Sequence, residues 1–143
     1  MGAEAERPVL SVHVRGSDGG FVGAVSPDAV LSAVCAVSST GAVFLATDMP
    51  AVEHMFEEAL EPGRLICYRN PDKFENSARG SFHAIVDMFC LSSCRRAIVA
   101  TPSSSFSFFA KLLCVHVPVV YIGDDLATTI SRCLGTPEKN KIK

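Results

Sequence analysis

Short apolar runs alternate with longer helical segments along this chain, and this alternation constrains the fold most. The β-rich runs cover residues 9–15, 42–47, 64–68, 95–100 and 118–122. Helical segments are predicted at residues 27–38, 50–60, 81–94, 106–115 and 124–134. Repeated strand–helix–strand units require right-handed crossovers, and apolar strands are typical of a sheet covered on both faces. The sequence therefore predicts a Rossmann-like α/β domain, with about five parallel strands and helices on both faces.

Several residues mark where the predicted helices begin and end. Ser26 followed by Pro27 is an N-cap with proline at the first helical position, and Ser81 can cap the third helix. The fourth helix, 106–115, is apolar nearly all round, which predicts that it is well buried. We expect one domain over residues 9–135, with flexible tails at 1–8 and 136–143.

Composition excludes some classes of function. The chain has 143 residues, 48% of them hydrophobic, and a net charge of −2, so one globular domain is expected. It has no basic stripe for nucleic acid and no apolar run of membrane-spanning length. The polar, acidic N-terminus predicts neither a signal nor a transit peptide, so a segment directing entry into the secretory pathway would be missing here. The cysteines show no zinc spacing and are expected to be small buried hydrophobes: Cys35, Cys67, Cys90, Cys94, Cys114 and Cys133.

Two polar clusters follow the first and fourth predicted strands. In the common strand order 3-2-1-4-5 these strands are neighbours, and ligands bind at their carboxyl ends, where the order reverses. His13 and Arg15 share one face of the first strand, and the guanidinium can bind two phosphate oxygens. Alternatively, Arg15 pairs with Asp18, and His13 is a core histidine with a polar partner.

The second cluster is a run of serines at the start of a helix. Ser103, Ser104 and Ser105 add hydroxyl donors to a helix N-terminus, which attracts phosphate; the alternative is a plain N-cap. The chain has no G-x-G-x-x-G or Walker A motif and no G-x-S-x-G elbow, which disfavours NAD, P-loop and hydrolase functions.

Other polar residues leave two interpretations open. Asp87 lies within a mostly apolar helix and faces either solvent or a ligand. Thr47 and Asp48 end the second strand, where an acid can meet a ribose, although capping the next helix is the simpler interpretation. No role is predicted for His54, His83 and His116, which show no metal spacing.

Three stretches resemble motifs of the GDP-fucose-dependent fucosyltransferases of GT-B type. His13-Val14-Arg15 with Ser17-Asp18 resembles H-x-R-R-x-D, residues 43–48 (VFLATD) resemble the second motif, and residues 84–113 resemble the third. The resemblance implies a C-terminal donor-binding lobe that holds a GDP-sugar by its diphosphate, with no metal or other cofactor.

The resemblance also implies roles for single residues. His13 would contact the nucleoside, Asp87 would help recognise guanine, and Arg15 would bind the diphosphate and act in catalysis. The phosphates would be held by serines: Ser103, Ser104 and Ser105. Asp18 is a candidate base by position alone. The implied partners are the nucleotide sugar, a glycan or protein acceptor, and a missing N-terminal lobe or companion chain.

One position departs from the family pattern. The second arginine of the first motif is Gly16 here, which puts transfer activity in doubt. A non-catalytic α/β domain that binds a nucleotide or a protein is therefore the alternative function, and a small flavodoxin-like hydrolase or regulator is a third. If the chain is part of a full-length fucosyltransferase, the secretory pathway is the expected compartment.

Overall fold

The protein folds as five strands alternating with four helices in the part of the chain that its computed structural model describes, residues 7–14, 27–69, 77–101 and 105–121. The strands are β1 (Leu10–Val14), β2 (Val43–Thr47), β3 (Leu65–Cys67), β4 (Ala97–Ala100) and β5 (Val119–Tyr121). The helices are α1 (Pro27–Val37), α2 (Pro50–Ala59), α3 (Ala78–Leu91) and α4 (Ser105–Leu113). Each strand lies within a segment that the sequence predicts as a strand. The predicted helix 124–134 lies outside the described residues.

All five strands form one parallel sheet in the order β3-β2-β1-β4-β5. The central strand β1 pairs with β2 on one side and with β4 on the other, so Leu10 is level with both Val43 and Ala97. The predicted fold class is confirmed, and the first and fourth strands are neighbours.

The helices cover both faces of this sheet and bury two separate clusters. On one face α1 and α2 pack on Val12, Leu45 and Val99, with Phe56 fully buried among them. On the other face, α3 and α4 cover Phe44 and other side chains of the sheet. Side chains alternate between the faces along each strand, so the face of any strand residue is known. No helix in the described part of the chain is long and apolar enough to span a membrane.

The structure shows how the second and third helices begin. Met49 is the N-cap of α2 and makes no side-chain cap hydrogen bond, whereas Thr47 Oγ1 accepts from the Met49 N–H at 3.1 Å. The helix begins at Pro50 as predicted, and the Thr47 hydroxyl is bonded to the N–H of its N-cap residue. The third helix begins at Ala78, because Ser77 rather than Ser81 is its N-cap and accepts from the Gly80 N–H at 3.2 Å.

The prediction that the fourth helix is well buried is wrong. Among the described side chains of α4, Ala110 is buried, whereas Phe108, Phe109, Leu112 and Leu113 are about half exposed.

The prediction that the cysteines are buried is confirmed for Cys94 and Cys114. Cys67 and Cys90 are only half-buried, Cys35 is exposed on α1, and all five of these thiols are free. Cys133 lies outside the described residues.

Candidate functional site

The carboxyl ends of β1 and β4 form the point where the strand order reverses. β1 ends at Val14 and β4 at Ala100, and the Thr101 N–H donates to the His13 carbonyl at 3.1 Å just past the paired region. The strands β2 and β3, which follow β1 along the chain, lie on one side of β1, whereas β4 and β5 lie on the other side. Crossovers therefore leave in opposite directions at this edge, which is where open α/β sheets bind ligands.

His13 lies next to this edge and points into the layer that α3 and α4 cover. Its neighbours in register are Ala46 on β2 and Ala100 on β4, so methyl groups flank the imidazole on both sides. Such small neighbours leave room for a large polar side chain within the sheet surface. His13 is only 6% exposed. Burial is compatible with both a ligand contact and a core histidine, so its role stays a prediction.

Asp87 lies in the same layer, on the face of α3 that packs against the sheet. The buried residues of α3 recur every three or four positions: Gly80, His83, Asp87 and Leu91. This face of α3 packs against β1 and β2, and Asp87 is 4% exposed. The solvent-facing alternative is therefore wrong for Asp87. A carboxylate in such a layer is costly unless polar groups surround it, and polar groups do lie there.

A hydrogen-bonded pair that the sequence did not indicate lies at the same edge. The Tyr68 hydroxyl, just after β3, lies 2.7 Å from Nδ1 of His83, and their rings are 5.6 Å apart. His83 is buried, although no role was predicted for it from the sequence. The available signal was the four-residue spacing of His83 and Asp87, which puts both side chains on one face of the helix.

The buried polar groups between the sheet and α3, or just past the end of β4, come from several elements. Ser11 and His13 project from β1, and His83 and Asp87 project from α3. Thr101, immediately after β4, is also buried. A layer with imidazole, carboxylate and hydroxyl groups can bind a polar, hydrogen-bonding ligand group that enters from the carboxyl edge.

Most of the predicted phosphate-binding residues lie outside the described residues. This applies to Arg15, Ser103 and Ser104, and also to Asp18 and Gly16. Ser105 is the first residue of α4, and its side chain is not described. The convergence of Arg15 with the serines therefore stays a prediction. Within the described ranges, no three His, Cys, Asp or Glu side chains are grouped so as to hold a metal ion.

These features define a Rossmann-like α/β domain with a candidate ligand position between β1 and β4. Crystal structures of the NodZ α-1,6-fucosyltransferase from Bradyrhizobium share this fold. The structure soaked with GDP-fucose gives a TM-score of 0.53 and 24% identity, over 78% of this chain and 37% of that one. The structure co-crystallised with GDP gives 0.53 and 22%, over the same shares of the two chains.

The likeness is one of fold. No protein-family model and no curated protein matches the sequence. The chain spans little more than a third of the length of the similar fucosyltransferase structures, 37% in the GDP-fucose soak.

Proposed function

We propose that this chain is a fucosyltransferase-like donor-binding domain that holds a GDP-sugar at the β1–β4 edge. The observation that carries the proposal is the strand reversal at β1 and β4, beside the buried polar layer that contains His13 and Asp87. The likeness in fold to fucosyltransferase structures with GDP-fucose or GDP supports it. The three motif-like stretches support it independently of the fold.

In this proposal the nucleoside lies at the α3 side of the edge. Guanine presents adjacent N–H donors, and an ionised carboxylate is an acceptor, so Asp87 would recognise the base. His13, near the carboxyl end of β1, would contact the nucleoside. Because Asp87 is 4% exposed, the proposal requires the base to enter the layer between the sheet and α3 from the carboxyl edge.

The diphosphate would be held by Arg15 and the serine-rich start of α4. The guanidinium can donate two parallel hydrogen bonds, and the hydroxyls of Ser103, Ser104 and Ser105 add neutral donors. When the sugar transfers to an acceptor hydroxyl, the bond between the sugar and GDP breaks and negative charge grows on the diphosphate. Arg15 and the helix N-terminus would stabilise that charge. The acceptor and its binding surface would be supplied by a second lobe or companion chain.

Calorimetric titration of the chain with GDP, GDP-fucose, ADP and UDP tests this proposal. We expect micromolar or weaker binding of the two guanine nucleotides and no measurable binding of ADP or UDP. Arg15→Ala should weaken GDP binding about 10–100-fold, the worth of a charge-assisted contact of about 1.5–3 kcal/mol. Asp87→Asn should reduce the preference for GDP over ADP, because the amide presents donors as well as an acceptor.

Arg95→Ala is the matched control, since it removes the same charge at the opposite edge of the sheet. Arg95 is exposed, and its Nε donates to the Arg7 carbonyl at 3.3 Å. This variant should bind GDP like the parent chain. If GDP does not bind, or if ADP binds equally well, the assignment of the site is wrong.

The second candidate function is a non-catalytic domain that binds the same nucleotide. The observation in its favour is Gly16, which replaces the second arginine of the first motif. An assay of GDP release from GDP-fucose in the presence of the second lobe or companion chain, with the parent sequence and with Gly16→Arg, separates the two functions. GDP binding without turnover in either form then supports the non-catalytic function.

A further inference from the structure

Two helices that pack side by side both expose large apolar side chains. On α3 these side chains recur at a spacing of three and four residues, so they share one outward face. On α4, which packs beside α3, they cover the outward side as well. Seven residues of the two helices and one just after α4 define this α3–α4 apolar surface: Phe82, Ile85, Phe89, Phe108, Phe109, Leu112, Leu113 and Val115, all between 49% and 78% exposed.

The area of this surface matches one side of a stable protein interface. A large apolar or aromatic side chain carries on the order of 200 Å², so eight of them at about half exposure present roughly 800 Å². A standard interface buries about 800 Å² per partner, whereas the largest apolar patch on a typical monomer is about 300–600 Å². The surface is therefore larger than scattered exposure accounts for.

The charges around the surface favour a partner that is itself apolar. Among the described exposed side chains of α3 and α4, the charged groups are Arg79 and Lys111. Asp87 and His83 point inward to the sheet. Each of these two cations would contribute only about 1 kcal/mol to the free energy of binding to an anionic membrane, so the charges give little support for a lipid surface as the partner. A second copy offers the same apolar side chains, and a two-fold arrangement with Arg79 and Lys111 at the rim of the contact leaves its centre uncharged.

We propose that this α3–α4 apolar surface binds the same surface of a second copy of the chain. Both helices run from the carboxyl edge of the sheet to its amino edge, so they form a parallel two-helix layer. A two-fold axis through this layer brings four helices together, with ridges of one pair packing into grooves of the other. The surface covers the outside of the helices, so the carboxyl edge of the sheet stays accessible in the dimer.

Sedimentation velocity of the intact chain tests the proposal. The chain has no tryptophan, so interference optics are the suitable detection. We expect a concentration-dependent dimer from micromolar to submillimolar protein. Phe89→Glu on α3 and Leu112→Glu on α4 should each raise the dimer Kd at least roughly 30-fold, the loss typical of an interface hot spot. Both positions are exposed, and circular dichroism checks that each variant is folded.

Ala51→Glu is the matched control, because it adds the same charge to an exposed position of α2 on the opposite face of the sheet. It should dimerise like the parent chain. A parent chain that stays monomeric throughout overturns the proposal. Undiminished dimerisation of both surface variants also overturns it. So does co-sedimentation of a monomeric parent chain with phosphatidylcholine–phosphatidylserine vesicles.

Discussion

The loop between α1 and β2 contains a glycine that a single methyl group should disrupt. Gly41 has a φ of +89°, and a Cβ added there would lie 2.6 Å from Cγ2 of Val9. Ordinary carbon–carbon contacts are about 3.5–4.0 Å, so the methyl would overlap Val9 by roughly 1 Å. Gly41→Ala therefore combines an unfavourable backbone conformation with a steric clash.

Gly63 supplies a control for the backbone effect alone. Its φ is +84°, but an added Cβ would have nothing within 4 Å. Gly63 is the third residue of the turn in which the Arg64 N–H donates to the Glu61 carbonyl at 3.1 Å. A left-handed conformation costs an alanine about 1–2 kcal/mol, and reduced freedom of the unfolded chain returns about 0.4–1 kcal/mol. We expect Gly63→Ala to lower the free energy of unfolding by about 1 kcal/mol.

Gly41→Ala should cost more, because the clash adds about 1–3 kcal/mol, as overpacking does elsewhere. The total is about 2–4 kcal/mol, measured by urea unfolding with far-UV circular dichroism. Combining Gly41→Ala with Val9→Ala removes Cγ2 and leaves the Val9 Cβ at 3.6 Å, an ordinary contact. The double-mutant cycle should therefore show a favourable coupling of about 1–3 kcal/mol. Equal losses in the two glycine variants, or no coupling with Val9, would refute this account.

Two further predictions concern an arginine and a buried thiol. Arg64 donates from Nε to the Gly41 carbonyl and from Nη2 to the Ser38 carbonyl, both at 3.0 Å. Arg64→Ala should therefore lower the free energy of unfolding, measured in urea, by about 1–2 kcal/mol. Arg64→Lys should recover less than half of this loss, because lysine lacks the fork of donors. Burial raises the pKa of the Cys94 thiol above its ordinary value of 9.0, against a smaller lowering by Ser11. The folded state then holds this proton more tightly than the unfolded state, so the free energy of unfolding should fall as pH rises above about 9. In urea titrations at several pH values, Cys94→Ala should make the free energy of unfolding depend less on pH in this range. An unchanged pH dependence in the variant would contradict the prediction.

The sheet could be predicted from sequence because its strands are apolar and short. Runs such as 97–100 suit a strand buried on both faces, and the crossover rules leave few arrangements for five of them. Helix starts were harder to predict. Ser77 and Ser81 are both good N-caps, and the choice between them depends on where Gly80 packs, which a local pattern does not contain.

Two features could not be predicted from the sequence: which way the side chains of a helix point, and which distant residues contact each other. The apolar composition of α4 indicated burial, yet composition does not say whether a helix is covered on one side or two. The bond between Tyr68 and His83 joins residues fifteen positions apart through the packing of α3. The sequence singled out Asp87 as an unusual carboxylate, but only the packing of the helix shows that it points inward.

The two faces of α3 connect the proposed function with the proposed dimer. A helix that covers a sheet normally buries its apolar side chains and exposes its polar ones. In α3 this order is partly inverted, because His83 and Asp87 are buried whereas Phe82 and Phe89 are about 60% exposed. The exposed apolar side chains cost stability in a monomer, because they keep unfavourable contact with water, whereas the buried polar side chains require hydrogen-bond partners inside the protein, as His83 finds in Tyr68. A ligand in the inner layer and a second copy on the outer surface would contact opposite faces of α3, so each proposal can be tested without disturbing the other.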